Sequence, residues 1–172
     1  MPTIQELATE VAELRRRVDA SEGVLGIHAL KARYGELLDG RFSTGGVVGG
    51  PELGRIADEA AALFTVDGVW DGGPGLGRAT GRPAIAARLR DSTLSFSRHL
   101  FVKPRIEVDG DRARGRWDLL CPCRRPDGTS YWMCGFEDDE YARTEGIWLH
   151  RSMRLTTLFM APVAEGWTRI LA

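Results

Sequence analysis

The sequence has little of what metal, redox and membrane functions require. It holds only three cysteines, Cys121, Cys123 and Cys134, and three histidines, His28, His99 and His150. An odd cysteine count with no secretory leader favours reduced thiols and a cytoplasmic location. Cys121-Pro122-Cys123 lacks the two-residue spacing of zinc and thioredoxin-type sites, and no histidine stands near another ligand at metal spacing. No metal and no cofactor are therefore expected. No apolar run reaches the roughly 20 residues of a membrane span, and the first residues read as an amphipathic stretch carrying both charge signs rather than a signal peptide. The formal net charge is only −1, so there is no basic field to draw in nucleic acid or an anionic membrane.

What is present is an ordinary globular composition, 43% hydrophobic and 27% charged over 172 residues, which suits one domain spanning residues 1–172. Apolar residues at Ile4, Leu7, Val11, Leu14 and Val18 fall at steps of three and four and predict an amphipathic helix over residues 3–20. Thr3 followed by Glu6 resembles a capping box. The run is too short to be stable alone, so its stripe needs a partner surface, and a homodimer or homotrimer is expected. A second helix is predicted from Ser21 or Gly23 to Asp39, with Gly40 as its stop. Thr44 to Pro51 is glycine-rich but lacks the lysine and preceding strand of a phosphate loop, and reads as a flexible connection. Pro51 then opens a short helix to Leu63, Phe64–Trp70 forms a first strand, and Arg82-Pro83 begins another helix. Beyond this the period changes to two. Strands are predicted around Arg105–Val108, Ala113–Leu119, Ser130–Arg143 and Trp148–Phe159, separated by turns at Asp109-Gly110, Pro126-Asp127-Gly128 and Glu145-Gly146. Helices first and antiparallel strands last make an α+β fold, a sheet curling around its helices to enclose a pocket.

Two residues stand out within that order. Asp39 ends the second helix and His99 opens a strand between Phe96 and Phe101. An aspartate can fix an imidazole tautomer so that the other ring nitrogen takes a weakly acidic proton, and this chemistry needs no cofactor. His28 and His150 lack such a partner. Glu137-Asp138-Asp139-Glu140 reads as a solvated strand segment with one inward residue, not a cation site.

Short stretches spread over most of the chain resemble the SnoaL-like branch of the NTF2-like superfamily, which includes bile-acid 7α-dehydratases and scytalone dehydratase. They are Tyr34-x4-Asp39-Gly40; Phe64-x2-Asp67-Gly68-Val69-Trp70 with Gly81-Arg82-Pro83-Ala84-Ile85; His99-x4-Pro104 running on to Asp109-Gly110; and Tyr141-x4-Gly146-x-Trp148. The resemblance implies an NTF2-like cone and a pocket in which Asp39 pairs with His99 beside Tyr34. It also implies a second tyrosine at Tyr131 and a basic residue from the last strand, Arg154 or its competitor Arg151. Trp70 and Trp117 are taken as further substrate-binding aromatics, Trp70 standing near where relatives carry a strand tyrosine. The implied function is a cofactor-independent lyase of the dehydratase type, acting on a hydrophobic polycyclic or polyketide-like small molecule. Isomerisation or cyclisation shares the first step, and a non-catalytic ligand-binding or assembly protein, or the small subunit of a ring-hydroxylating oxygenase, would use the same fold.

Overall fold

One helix, α1 (Ile4–Asp39), replaces the two expected from the sequence. The computed structural model describes residues 1–43 and 46–164. α1 begins with the capping box, Thr3 accepting from the Glu6 backbone N–H while the Glu6 carboxylate accepts from the Thr3 N–H. It runs through Asp19 to Gly26 without a break, and Ser21 is absorbed by donating its hydroxyl to the Arg17 carbonyl. Gly23 and Gly26 are not breakers here. They let the helix lie close to the sheet, since a Cβ at Gly23 would stand 3.1 Å from Val108 and one at Gly26 2.8 Å from Trp148.

After α1, β1 (Phe42–Ser43) pairs with β2 (Gly46–Val47) as a short antiparallel ribbon, so the described part of the glycine-rich segment is ordered rather than a loose connection. Thr44 and Gly45 lie outside the described residues. Helices α2 (Gly50–Ala62) and α3 (Arg82–Arg90) each carry proline in the first turn, where the missing N–H costs nothing.

The remaining strands are β3 (Phe64–Asp71), β4 (Arg78–Thr80), β5 (Phe96–Ser97), β6 (Leu100–Asp109), β7 (Arg112–Arg124), β8 (Ser130–Thr144) and β9 (Ile147–Pro162). They form one seven-stranded sheet in the order β4-β3-β9-β8-β7-β5, with β6 also on β7. The β6–β9 meander is antiparallel as the turns predict, but β3 joins β9 in parallel. Register shifts interrupt the β6–β7 and β8–β9 ladders, and such irregularities bend strands and sharpen twist. The curved sheet wraps its inner face around α1–α3. Tyr34, Leu37 and Leu38 of α1 pack there with Ile56, Phe64, Ile85 and Leu89. Among the described residues, no helix is long and apolar enough to cross a membrane.

Candidate active site

The inner face of the sheet and the end of α1 enclose a cavity of about 1040 Å³, bordered by Tyr34, Trp70, His99, Tyr131, Glu137 and Arg154 among others. Leucines and methionines supply much of the rest of its wall, including Leu38, Leu89, Met133, Met153 and Met160. Methionine adapts its shape to irregular apolar ligands.

α1 ends so that Asp39 lies behind His99. The Asp39 Oδ1 accepts from the His99 backbone N–H at 2.9 Å and lies 2.7 Å from His99 Nδ1. Its other oxygen is 3.4 Å from Arg98 Nε. An aspartate at a helix C-terminus faces the negative end of the macrodipole, and these groups offset that cost. Both side chains are nearly enclosed, at 7% exposure for Asp39 and 11% for His99. A carboxylate acceptor makes Nδ1 the protonated nitrogen of the neutral ring, leaving Nε2 with its lone pair. Burial opposes charging of the imidazole, but the Asp39 hydrogen bond and nearby negative charge outweigh it and raise His99 above the usual 6.5. The imidazole also stacks on Phe101 at 5.8 Å.

Tyr34 reaches the cavity from the buried face of α1, its hydroxyl accepting from Trp70 Nε1 at 2.9 Å. Burial raises its pKa well above 10, so the phenol stays a neutral donor. Tyr131 lies at the other end of the wall under Arg125, 5.3 Å from its ring. Arg154 alternates with the buried Met153 and Leu155, so it is mostly exposed and lines the outer depression as well as the rim of the cavity, 3.8 Å from Asp71. Arg151 faces a separate depression on the outer surface of the sheet and does not border the cavity. Trp117 corrects the expectation of a substrate-binding aromatic. Its indole packs with Ile27, Leu30 and Trp148 and donates to Tyr141 at 2.9 Å, away from the described cavity wall.

The acidic run is the larger correction. Two of its residues point inward, Glu137 and Asp139, and both clasp the buried Lys31 of α1. The Lys31–Asp139 contact is 2.7 Å, and Asp139 also accepts from the Tyr141 hydroxyl at 2.7 Å. The chain of bonds therefore runs from Trp117 through Tyr141, Asp139 and Lys31 to Glu137, whose carboxyl borders the cavity. Burial raises Glu137 above the usual carboxyl value although Lys31 pulls it the other way. Burial likewise lowers Lys31's affinity for its proton, but the two carboxylates outweigh this and the net shift is upward. His150 sits beside this network, neither ring nitrogen hydrogen-bonded among the described residues, and burial lowers it to about 3.

Strand parity carried the missed signal. Tyr131 and Tyr141 on one strand both face inward, so Glu137 and Asp139, at even offsets from them, must do so too. Lys31 was equally legible, standing on the apolar face between Ile27, Leu30 and Tyr34.

A SnoaL-like domain profile matches residues 54–154, more than half of the chain. The chain belongs to the SnoaL-like domain family. The matched segment takes in His99 and the strands from β3 to the first half of β9, while Tyr34 and Asp39 precede it. Among curated proteins none matches significantly. Solved structures place this SnoaL-like chain in the NTF2-like fold. An NTF2-like protein with a cystatin-like fold from Novosphingobium aromaticivorans is 25% identical, with 92% of each chain covered and a TM-score of 0.62. A scytalone dehydratase-type protein from the same organism is 21% identical over 95% of this chain and 94% of its own, at a TM-score of 0.64. A hexachlorocyclohexane dehydrochlorinase, LinA-type3 from Novosphingobium barchaimii, is 18% identical over 95% and 99%, at 0.67.

Proposed function

We propose that this SnoaL-like protein is a cofactor-independent lyase that removes a proton next to a carbonyl and expels a β leaving group, most simply water. The observation that carries the reading is the 2.7 Å contact of His99 Nδ1 with Asp39 on the wall of a cavity lined largely by apolar side chains. The free Nε2 takes the carbon-bound proton while Asp39 stabilises the imidazolium that forms. The C–H electron pair moves into the enolate, whose oxygen accepts a hydrogen bond from Tyr34. Such a preorganised donor in a dry site is worth a few kcal/mol. Collapse of the enolate forms the C=C bond and releases the β hydroxyl, which leaves as water with the proton that His99 took up. Tyr131 and Trp70 border the same cavity and suit the flat faces of a polycyclic or polyketide-like ligand. The dehydratase and dehydrochlorinase among the structural neighbours are both named for eliminations, which agrees with this chemistry.

The test is a panel of hydrophobic β-hydroxy ketones and steroid-like hydroxy ketones, assayed for the enone chromophore in the presence of a chelator. Turnover of at least one member, independent of added metal or nucleotide, is the expected result. Activity that vanishes with chelator would remove the cofactor-independent mechanism.

A further inference from the structure

Among the described residues, the N-terminal half of α1 has no partner. Every residue from Met1 to Val18 is exposed, and the helix first meets the body through Asp19, whose carboxylate pairs with Arg143 at 2.8 Å, and through the buried Gly23. The free stretch Ile4–Val18 is about 22 Å long at 1.5 Å per residue. An isolated helix of this length is marginal in water, and the described residues leave its apolar stripe uncovered.

We propose that residues 4–25 pair with the same segment of a second copy of this chain as a parallel, in-register, two-stranded coiled coil. The apolar residues fall on a strict heptad, with Ile4, Val11, Val18 and Leu25 at its a positions and Leu7 and Leu14 at d. Ser21 fills the remaining d position. All six apolar side chains are solvent-exposed, Ile4 at 88% and Leu25 at 68%. β-Branched residues at a with leucine at d favour two parallel strands over three or four. Flanking charge selects the same arrangement. In a parallel register each g residue faces the e residue five places on in the other helix. Glu10 then meets Arg15 of the second copy and Arg17 meets Glu22 of the second copy. Both pairs attract, and symmetry repeats them. In the antiparallel arrangement Glu10 still meets Arg17, but Arg15 faces Ala8 and Glu22 is left without a partner.

The body does not obstruct this seam. Its contacts with α1 come through Asp19, Gly23, Ile27 and Leu30, which occupy the b, c and f positions on the opposite side of the helix. Leu25 stays exposed although it lies level with the sheet. Trp148 packs against Gly26 on the sheet side and leaves the a and d face clear.

Light scattering on the intact chain at micromolar concentration should return twice the 19.0 kDa chain mass. Leu7→Asp with Leu14→Asp should halve that mass. The thermal transition of the body should remain, because both positions are exposed and distant from its core. Ile4→Cys should cross-link into a disulfide dimer under mild oxidation, which only the parallel in-register arrangement allows. A second pair of variants tests the charges. Glu10→Lys/Glu22→Lys and Arg15→Glu/Arg17→Glu should each be monomeric alone and form a heterodimer when mixed. A monomeric parent, an oligomer that survives the double aspartate variant, or a dimer that does not cross-link through Ile4→Cys would overturn the proposal.

Discussion

At the scale of single residues, the proposed chemistry depends on which proton His99 holds. A base must be neutral to act, and the raised His99 pKa means the ring still binds its proton above pH 6.5. Activity should therefore rise with pH through an apparent pKa above 6.5. Replacing Asp39 by asparagine removes the hydrogen-bonded carboxylate that raises it, so the rising limb should move to lower pH. His99→Ala should lose on the order of a hundredfold or more in kcat/KM, and Asp39→Asn less, since Asp39 orients rather than reacts. The stability contribution of His99 has the opposite sense. A group with a raised folded pKa binds more protons folded than unfolded, so its contribution is complete below 6.5 and is lost as pH rises through the folded value. His150 runs the other way. Its folded pKa near 3 lies below the usual 6.5, so the unfolded chain binds the extra proton and stability falls as pH drops below 6.5. His150→Phe keeps a ring against Phe64, removes two unpaired buried nitrogens and should flatten that acid-side loss in urea titrations between pH 4 and 7.

At the scale of elements, the Lys31–Glu137–Asp139 cluster ties α1 to β8 across the centre of the molecule. Breaking such a buried cluster by removing one partner costs about 3–5 kcal/mol, because the remaining charges have no water to turn to. Lys31→Met should lower the unfolding free energy measured in urea by that amount at neutral pH. Adding Glu137→Leu and Asp139→Leu should recover much of it, and failure to recover would mean that the cluster holds the fold through more than charge balance. The α1–sheet contact gives a second prediction. Helix propensity favours replacing Gly26 by about 1 kcal/mol, but a longer side chain there meets Trp148, and overpacking costs about 1–3 kcal/mol. Gly26→Leu should therefore be net destabilising, read as a lower denaturation midpoint with an unchanged slope. These elements also show what the sequence could disclose. The meander, the first strand and the two proline-started helices follow from period and punctuation, which are local. The fusion of the two expected helices was not legible, since Gly23 and Gly26 look like breakers until Trp148 and Val108, more than eighty residues away, give them a reason. The parallel β3–β9 pairing is likewise a tertiary choice that no local pattern encodes. Glu137 and Asp139 were encoded in the parity of β8, but adjacent acids on a strand resemble a solvated edge until Lys31 is set opposite them.

At the scale of the whole molecule, a curved sheet wrapped around α1–α3 leaves a large, mostly apolar cavity beside the dyad and an exposed amphipathic arm beyond the body. The apolar part of the cavity wall lowers the local dielectric, which in the proposed reaction strengthens the pull between Asp39 and a charged imidazole. Asp39 and Tyr34 arrive from α1, His99 from the loop before β6, and Glu137 from β8, so the site forms only when the fold closes. In the proposed reaction the decisive step is removal of a carbon-bound proton by His99. Hydrogen exchange tests this most directly, because it needs no leaving group and no knowledge of the natural substrate. A hydrophobic bicyclic ketone such as 2-tetralone, incubated with the protein in heavy water and followed by proton NMR, should lose its α-hydrogens at least about a hundredfold faster than in buffer alone. That acceleration should disappear in His99→Ala while the ketone still binds. A bound ketone that exchanges no faster than in buffer, or one that exchanges equally fast with His99→Ala, would contradict it.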